Sequence, residues 1–187
     1  MTSRLLLVSP AIGPALREAR FYDGSSSIDE AAATRAAAGA LPQAARVALS
    51  PGARCRDTAE ALGLRGAVAA ELGPLDAGQW RGHTLAEVCA TEGEAVARWL
   101  ADPDCPAPGG ESVRQVCARV GHWLDSLPEG RTVAVVEPEV VRAAVVHALA
   151  LPAETFWRLD APPLTATELS GRSGRWNLRL GHPLGGE

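Results

Sequence analysis

The sequence has 187 residues, of which 47% are hydrophobic and 21% are charged. That length and apolar content predict a single domain over residues 1–187, with an ordered core from about residue 4 to about residue 180 and a short tail. The formal net charge of −4 argues against nucleic acid and anionic membrane as partners, because phosphate-backbone binding needs a basic face. A small-molecule ligand or a protein is the expected partner.

The amino-terminal residues and the cysteines predict a cytoplasmic protein. Only a short apolar run precedes Ser9 and Pro10, too short for a signal-peptide core, and no window approaches the length of a membrane span. The four cysteines are Cys55, Cys89, Cys105 and Cys117. Because they form neither a CxxC pair nor a ligand spacing with histidine, we interpret them as free thiols and predict no metal and no cofactor.

Two apolar runs predict the central strands of a sheet. The first, at residues 5–11, ends at Ser9 and Pro10, and the second, at residues 132–136, ends at Glu137. A run without a polar face is typical of a strand covered by helices on both sides. Because ligands of open α/β sheets bind beyond the carboxyl ends of strands, we predict that these two ends lie side by side at the site.

The remaining segments alternate between helical and extended patterns. Helices are predicted at residues 28–40, 54–62, 85–101, 111–127, 138–149 and 152–159. Further strands are predicted at residues 46–49, 68–70, 164–169 and 175–180, the last two as a hairpin at the sheet edge. The order predicts an α/β protein, a three-layer α/β/α sandwich with a mostly parallel central sheet. A homodimer through the edge hairpin is left open.

Four spaced motifs stand out in the sequence: SPGARCRDTAE at 50–60, LDAGQWRG at 75–82, GGES at 109–112 and VVEPEVVR at 135–142. In this order they resemble the histidine phosphatase superfamily, which has the phosphoglycerate-mutase-like fold. The resemblance covers residues from about 4 to about 180 and implies the same sandwich. In that family the arginine that opens the helix after Ser-Pro binds phosphate, and Arg54 takes that position.

The sequence departs from the family pattern at the residues that carry its chemistry. The family's first strand ends in Arg-His-Gly, whose histidine is phosphorylated, whereas Ser9-Pro10-Ala11 stands in that place here. Pro74 stands where the resemblance puts the proton-donating glutamate, and Glu137 aligns with the second histidine. Phosphoryl transfer of this kind needs an imidazole nucleophile, cations around the phosphate and an acid for the leaving oxygen. The resemblance therefore implies a degenerate member that lacks the catalytic histidines.

The candidate ligand-binding residues share a place near the predicted strand ends or in the family motifs, and they are Ser9, Arg54, Glu111, Glu137 and Arg142. Glu137 and Arg54 are also the candidate catalytic residues. They would either bind a polar or cationic ligand, act as acid and base, or form a salt bridge in a disused pocket. For Glu111, stabilisation by the helix dipole is an equal explanation.

Three functional hypotheses follow. The leading one is a protein that has lost phosphoryl transfer and whose pocket binds or transforms a non-phosphorylated small metabolite. The first alternative is a non-catalytic interaction or scaffold protein, and the second is a residual phosphomonoester phosphatase with an unrecognised nucleophile or a metal. A deep pocket with Glu137 at its base favours the leading hypothesis, whereas a pocket plugged by Leu or Trp side chains favours a relic.

Overall fold

Six strands form one sheet in the computed structural model, which describes residues 2–22, 24, 28, 41–172 and 174–180. The strands are β1 (Ser3–Val8), β2 (Arg46–Leu49), β3 (Ala67–Val68), β4 (Gly130–Val135), β5 (Ala166–Arg172) and β6 (Arg175–Arg179). The α-helices described are α1 (Pro14–Arg17), α2 (Ala53–Ala61), α3 (Leu85–Ala101), α4 (Val113–Asp125) and α5 (Pro138–Ala148). Short 3₁₀ helices cover Ala70–Leu72, Gly78–Trp80 and Ala153–Arg158.

The sheet is mostly parallel, as predicted. Its strand order is β3-β2-β4-β1-β5-β6, in which β5 alone runs in the direction opposite to the other five strands. The strands β1 and β4 are adjacent and parallel, with Val8 opposite Val135. The backbone N–H of Val136 donates to the carbonyl of Val8 at 3.0 Å. The carboxyl ends of the two apolar runs therefore lie side by side, which places Ser9 next to the segment that carries Glu137.

Helices cover both faces of the sheet, which confirms the three-layer sandwich. Leu5 and Leu7 belong to a core with the buried valines of α4 and α5, whereas Val8 packs with Val133 and the inner side of α2 on the other face. Burial of such a side chain contributes about 1.5–3 kcal/mol, so both faces of β1 stabilise the fold. This two-sided burial is the physical reason that the strand shows no alternation of polar residues.

Several predicted elements differ from the structure in type or extent. The helix predicted at residues 152–159 is a 3₁₀ helix, and the strand predicted at residues 68–70 shares only Val68 with the exposed two-residue β3, since Ala70 begins a 3₁₀ helix. The stretch at residues 13–21, for which the sequence predicts no definite element, contains the single turn of α1. The helix predicted at residues 28–40 lies, apart from Ile28, outside the described residues. None of the described helices is long and apolar enough to cross a membrane.

Ser112 ends the GGES motif and caps α4. Its hydroxyl accepts from the backbone N–H of Gln115 at 3.2 Å, and its own N–H donates to the Gln115 side chain at 2.8 Å. We expect Ser112→Ala to lower the free energy of unfolding by about 1 kcal/mol, because a helix N–H loses its acceptor. Urea unfolding measures this, with Ser112→Thr as the control that keeps a hydroxyl. Equal losses in both variants would contradict a capping role.

Candidate functional site

A buried ion pair between Arg54 and Glu137 stands at the carboxyl end of the sheet. Arg54 lies in the first turn of α2, and Glu137 is the N-cap residue of α5, two residues after the end of β4. The Arg54 Nη2 donates to Glu137 Oε2, and Nε donates to Oε1 at 3.4 Å. The two side chains are only 9% and 2% exposed. The guanidinium is thus engaged at two points by a carboxylate of the same chain, and the two charges neutralise each other.

Three groups surround the pair and hold its geometry. The thiol of Cys55 donates to Glu137 Oε1 at 3.4 Å, and the Tyr22 hydroxyl accepts from the backbone N–H of Ala53 at 2.8 Å. A Cβ at Gly52 would lie 3.2 Å from the Tyr22 hydroxyl and 3.4 Å from Glu137 Oε1, so glycine permits the close approach of all three. The motif that begins at Ser50-Pro51 therefore places a residue without a side chain, Gly52, at the most crowded point of the site.

The electrostatics of the site keep both potential nucleophiles protonated. Burial, and after it the Glu137 carboxylate, raises the pKa of the Cys55 thiol well above its usual range. Burial also raises the pKa of the Tyr22 hydroxyl. For Arg54, burial lowers the pKa, but the hydrogen bond and charge of Glu137 outweigh it, so the net pKa is raised. Because nucleophilic attack requires the thiolate, Cys55 is unreactive in this position.

The ion pair lies at the buried end of a cavity of about 380 Å³. Its apolar lining includes side chains of α1, α3 and the loops that flank them, and its polar lining comes from Arg20, Tyr22, Arg54, Glu137, Glu139 and Arg142. The larger apolar residues of the whole lining are Leu16, Phe21, Leu75, Leu85, Trp99, Leu100 and Trp157. A cavity of this size, apolar with a few polar groups at one end, has the character of a small-molecule site.

Aromatic rings build one wall of this cavity. The centroids of Trp99 and Trp157 are 4.6 Å apart, and those of Trp80 and Trp99 are 5.6 Å apart in an edge-to-face arrangement. Phe21 packs against Trp80 with a centroid distance of 5.6 Å and tilted ring planes. Trp80 itself is 1% exposed and belongs to the core behind the wall. Such ring pairs add about 0.5–1.5 kcal/mol each beyond the area they bury, so the wall is pre-formed.

Glu139 and Arg142 lie on the first turns of α5 and complete the polar end. The Arg142 Nε donates to the carbonyl of Leu159 at 2.8 Å, and the guanidinium carbon lies 6.0 Å from the Phe156 ring centroid and 5.7 Å from that of Trp157. Burial, followed by the nearby Glu137 charge, raises the pKa of Glu139. Within the described ranges, neither side chain forms an ion pair closer than 4 Å.

The structure brings together three of the five residues that the sequence suggested. Arg54, Glu137 and Arg142 all line the cavity. Ser9 lies at the end of β1, 1% exposed, with its N–H donating to the carbonyl of Thr165 at 3.0 Å, and it does not line the cavity.

Glu111 is held elsewhere, in a two-point pair with Arg119. The Arg119 Nε and Nη2 donate to its carboxylate at 2.7 and 2.9 Å. The Glu111 carboxylate also faces the backbone N–H of Asp76, at 3.5 Å. Glu111 thus ties the 75–82 loop to the start of α4 and borders a different, more open cavity. No group of three His, Cys, Asp or Glu side chains suited to a metal ion is found in the described part of the chain.

The raised pKa of Glu139 predicts a pH-dependent stability. An ordinary glutamate, as in the unfolded chain, titrates at about 4.3, whereas folded Glu139 holds its proton to higher pH, so its ionisation destabilises the folded state above that value. We therefore expect Glu139→Gln to be more stable than wild type at pH 7 and equal to it near pH 4, measured by urea unfolding. Exposed Glu94 provides the control, since Glu94→Gln should change stability by less than about 0.5 kcal/mol at both pH values. A loss of stability in Glu139→Gln at pH 7 would contradict this reasoning.

Comparison with known proteins gives relatives for both sequence and fold. A bifunctional protein of Mycobacterium tuberculosis (strain H37Rv) is 40% identical over 99 residues, which is 49% of this chain and 27% of that protein. The chain thus spans only about a quarter of the length of this curated relative. Among solved structures, a mycobacterial glucosyl-3-phosphoglycerate phosphatase in complex with VO3 is 28% identical, with a TM-score of 0.82 over 95% of this chain and 97% of that one.

An α-ribazole phosphatase from Shigella flexneri has the same fold, with a TM-score of 0.82, 17% identity and 95% of both chains covered. The profile of the Histidine phosphatase superfamily (branch 1) matches residues 27–181. The match begins after the end of β1, so Ser9 and Pro10 lie outside it. It includes the segments that carry Arg54, Glu137 and Arg142. The chain belongs to the histidine phosphatase superfamily, branch 1, and the resemblance of its motifs to that family is confirmed.

Proposed function

We propose that this protein has lost phosphoryl transfer and that its cavity binds a non-phosphorylated small molecule. The observation that carries the proposal is the two-point ion pair of Arg54 with Glu137 at the buried end of the cavity. A phosphate dianion at Arg54 would have to displace that carboxylate and lie beside it. Two like charges about 4 Å apart repel by roughly 1–4 kcal/mol at effective dielectric constants between those of water and a protein surface.

The absence of a nucleophile in the described part of the site supports the same proposal. Ser9-Pro10-Ala11 stands where the family has Arg-His-Gly, and Pro10 offers no side-chain nucleophile. Cys55 is kept protonated by burial and by Glu137. The histidine-phosphatase relatives of known structure include phosphatases, but phosphoryl transfer in this family depends on the residues that differ here. We therefore infer a degenerate member rather than a phosphatase.

The open cavity favours ligand binding over a disused pocket or a pure scaffold. A relic would be expected to collapse or to be filled by large side chains, since protein interiors leave few voids larger than a water molecule. Here a cavity of about 380 Å³ stays open beside the buried ion pair, and Trp99 and Trp157 line this cavity without filling it. Four cysteines without disulfides agree with a reducing compartment, and a cytoplasmic location forms part of the proposal.

A phosphatase assay tests the loss of phosphoryl transfer. The substrates are p-nitrophenyl phosphate and a panel of metabolite phosphates, each with and without divalent metal, and the mycobacterial glucosyl-3-phosphoglycerate phosphatase serves as the active control. We expect kcat/KM for this protein to lie at least about 10³-fold below the control, because the covalent route has no nucleophile. Turnover near the control rate that disappears in Arg54→Ala would overturn the proposal and favour a residual phosphatase.

A further inference from the structure

We propose that the cavity takes a small zwitterion with an apolar body, of the type of an α-amino acid with an apolar side chain. In this arrangement Glu139 receives the ammonium group and Arg142 the carboxylate. The inference rests on the proposed function, since it assumes that the cavity holds a non-phosphorylated ligand. It is carried by the charges that remain in the cavity once its internal ion pairs are counted.

Three of the five charged residues in the lining are already neutralised within the chain. Arg54 is paired with Glu137, and Arg20 donates to the Glu18 carboxylate at 2.7 Å. What remains is one carboxylate, Glu139, and one guanidinium whose described partners are a carbonyl and two aromatic faces. A lone cation would satisfy Glu139 but would lie against the charge of Arg142, and a lone anion would meet the reverse problem. A ligand with one charge of each sign matches both, and unmatched charges in such a site are costly.

The placement of the two groups suits charges that lie close together on one molecule. Glu139 and Arg142 are three residues apart on α5, so they are neighbours on one helix face with Cβ atoms about 5–6 Å apart. Hydrogen bonding of Nε to the Leu159 carbonyl orients the guanidinium of Arg142. Its terminal nitrogens are then the donors available for a ligand carboxylate, which guanidinium groups bind in a paired, directional way. An ammonium on the adjacent carbon of the ligand would lie within reach of Glu139.

The apolar part of the cavity accommodates the apolar body of the ligand. Phe21, Trp99 and Trp157 present ring surfaces, and Leu16 and Leu75 close the space around them. The volume of about 380 Å³ lies at the low end of the range for small-molecule sites, which favours a single compact ligand. A ligand body that is aromatic or branched aliphatic would bury its surface there, at about 25 cal/mol for each Å² removed from water.

The test compares three probes that share one apolar body and differ only in charge. L-phenylalanine carries both charges, phenethylamine lacks the carboxylate, and 3-phenylpropionate lacks the ammonium. Titration calorimetry on the wild-type protein is expected to show L-phenylalanine binding at least about 10-fold more tightly than either of the others, which corresponds to about 1.4 kcal/mol. Because this comparison uses the unaltered protein, it does not depend on any variant folding.

Two variants then assign the charges. In Glu139→Gln the affinity for L-phenylalanine should fall to that for 3-phenylpropionate, and in Arg142→Gln it should fall to that for phenethylamine. Retained selectivity for L-phenylalanine in both variants would overturn the assignment. Equal binding of a singly charged probe by the wild type, or no binding of any probe up to about 10 mM, would overturn the inference. Neither result touches the loss of phosphoryl transfer, which only the phosphatase assay decides, so the two failures are distinguishable.

Discussion

Replacing Glu137 with alanine is expected to destabilise the protein by about 3–5 kcal/mol and to create an anion-binding site at Arg54. The loss follows because removal of one partner of a buried pair leaves the other charge without compensation. The backbone of Arg54 is fixed at the start of α2, where Thr58 accepts from the Ala11 N–H at 3.0 Å and donates to the Arg54 carbonyl at 2.8 Å, so the guanidinium remains at this end of the sheet. An arginine so held, with its carboxylate removed, is a receptor for phosphate.

Urea unfolding in chloride and in phosphate buffers of equal ionic strength measures both effects. Phosphate should restore part of the lost stability in Glu137→Ala, by about 2.7 kcal/mol when its concentration is 100 times the dissociation constant, and should have no specific effect on wild type. The matched control is the double variant Glu137→Ala with Arg54→Ala, in which the phosphate effect should vanish. If Glu137→Ala gains nothing from phosphate, the carboxylate does not stand in the place of a bound anion, and the central argument against phosphoryl transfer falls.

The pairing of Arg54 with Glu137 could be predicted from the sequence because two separate signals pointed to one place. The apolar runs identify β1 and β4 as buried strands, and ends of parallel neighbours meet at one edge of the sheet. The Ser-Pro motif places an arginine at the start of the next helix, and helix starts face that same edge. Local sequence therefore determines both partners, and the parallel pairing of β2 with β4, with Leu49 opposite Val135, brings them together.

The position of Glu111 and the aromatic wall could not be predicted in the same way. Glu111 forms an ion pair with Arg119, about two helical turns further along the chain. The sequence was compatible both with a ligand-binding Glu111 and with one that only stabilises the helix dipole. Periodic spacing in α3 predicts that Trp99 faces inward, but it does not distinguish a ring packed wholly in the core from one that also borders a cavity. That distinction depends on α1 and on the 3₁₀ helix at Ala153–Arg158, which are distant in sequence.

The role of Glu139 in the cavity is a further feature that the sequence alone does not predict. It follows Glu137 and Pro138 at the start of α5, and an acidic residue in a first helical turn is ordinarily explained by the helix dipole. Only the three-dimensional arrangement shows that Glu137 is ion-paired with Arg54, whereas Glu139 lines the cavity without an ion-pair partner among the described residues. The charge that the cavity offers a ligand thus depends on which of the two carboxylates pairs with Arg54, and the packing of the fold determines that pairing.

Trp99→Ala is expected to lower the free energy of unfolding by about 3–5 kcal/mol and to remove ligand binding. Trp99 is 4% exposed and touches Trp80, Phe21 and Trp157, with centroid distances of 5.6, 5.9 and 4.6 Å. Truncation would leave a void where these three rings meet and would remove the support of the cavity wall. Urea unfolding gives the loss of stability, and calorimetry with L-phenylalanine gives the loss of binding.

The matched control is Trp99→Phe, which separates the role of the ring from that of the indole nitrogen. The Trp99 Nε1 is buried without a hydrogen-bond partner in the described structure, so phenylalanine removes no hydrogen bond and keeps an aromatic face toward Trp157. We expect Trp99→Phe to lose less than half of the unfolding free energy that Trp99→Ala loses. Its dissociation constant for L-phenylalanine should stay within about 10-fold of the wild-type value. If Trp99→Phe is as unstable as Trp99→Ala, the volume of the indole and not the aromatic contact holds the wall. If it is stable but does not bind, then the wall contributes to recognition through the indole itself, since the fold and the charged end of the cavity are unchanged.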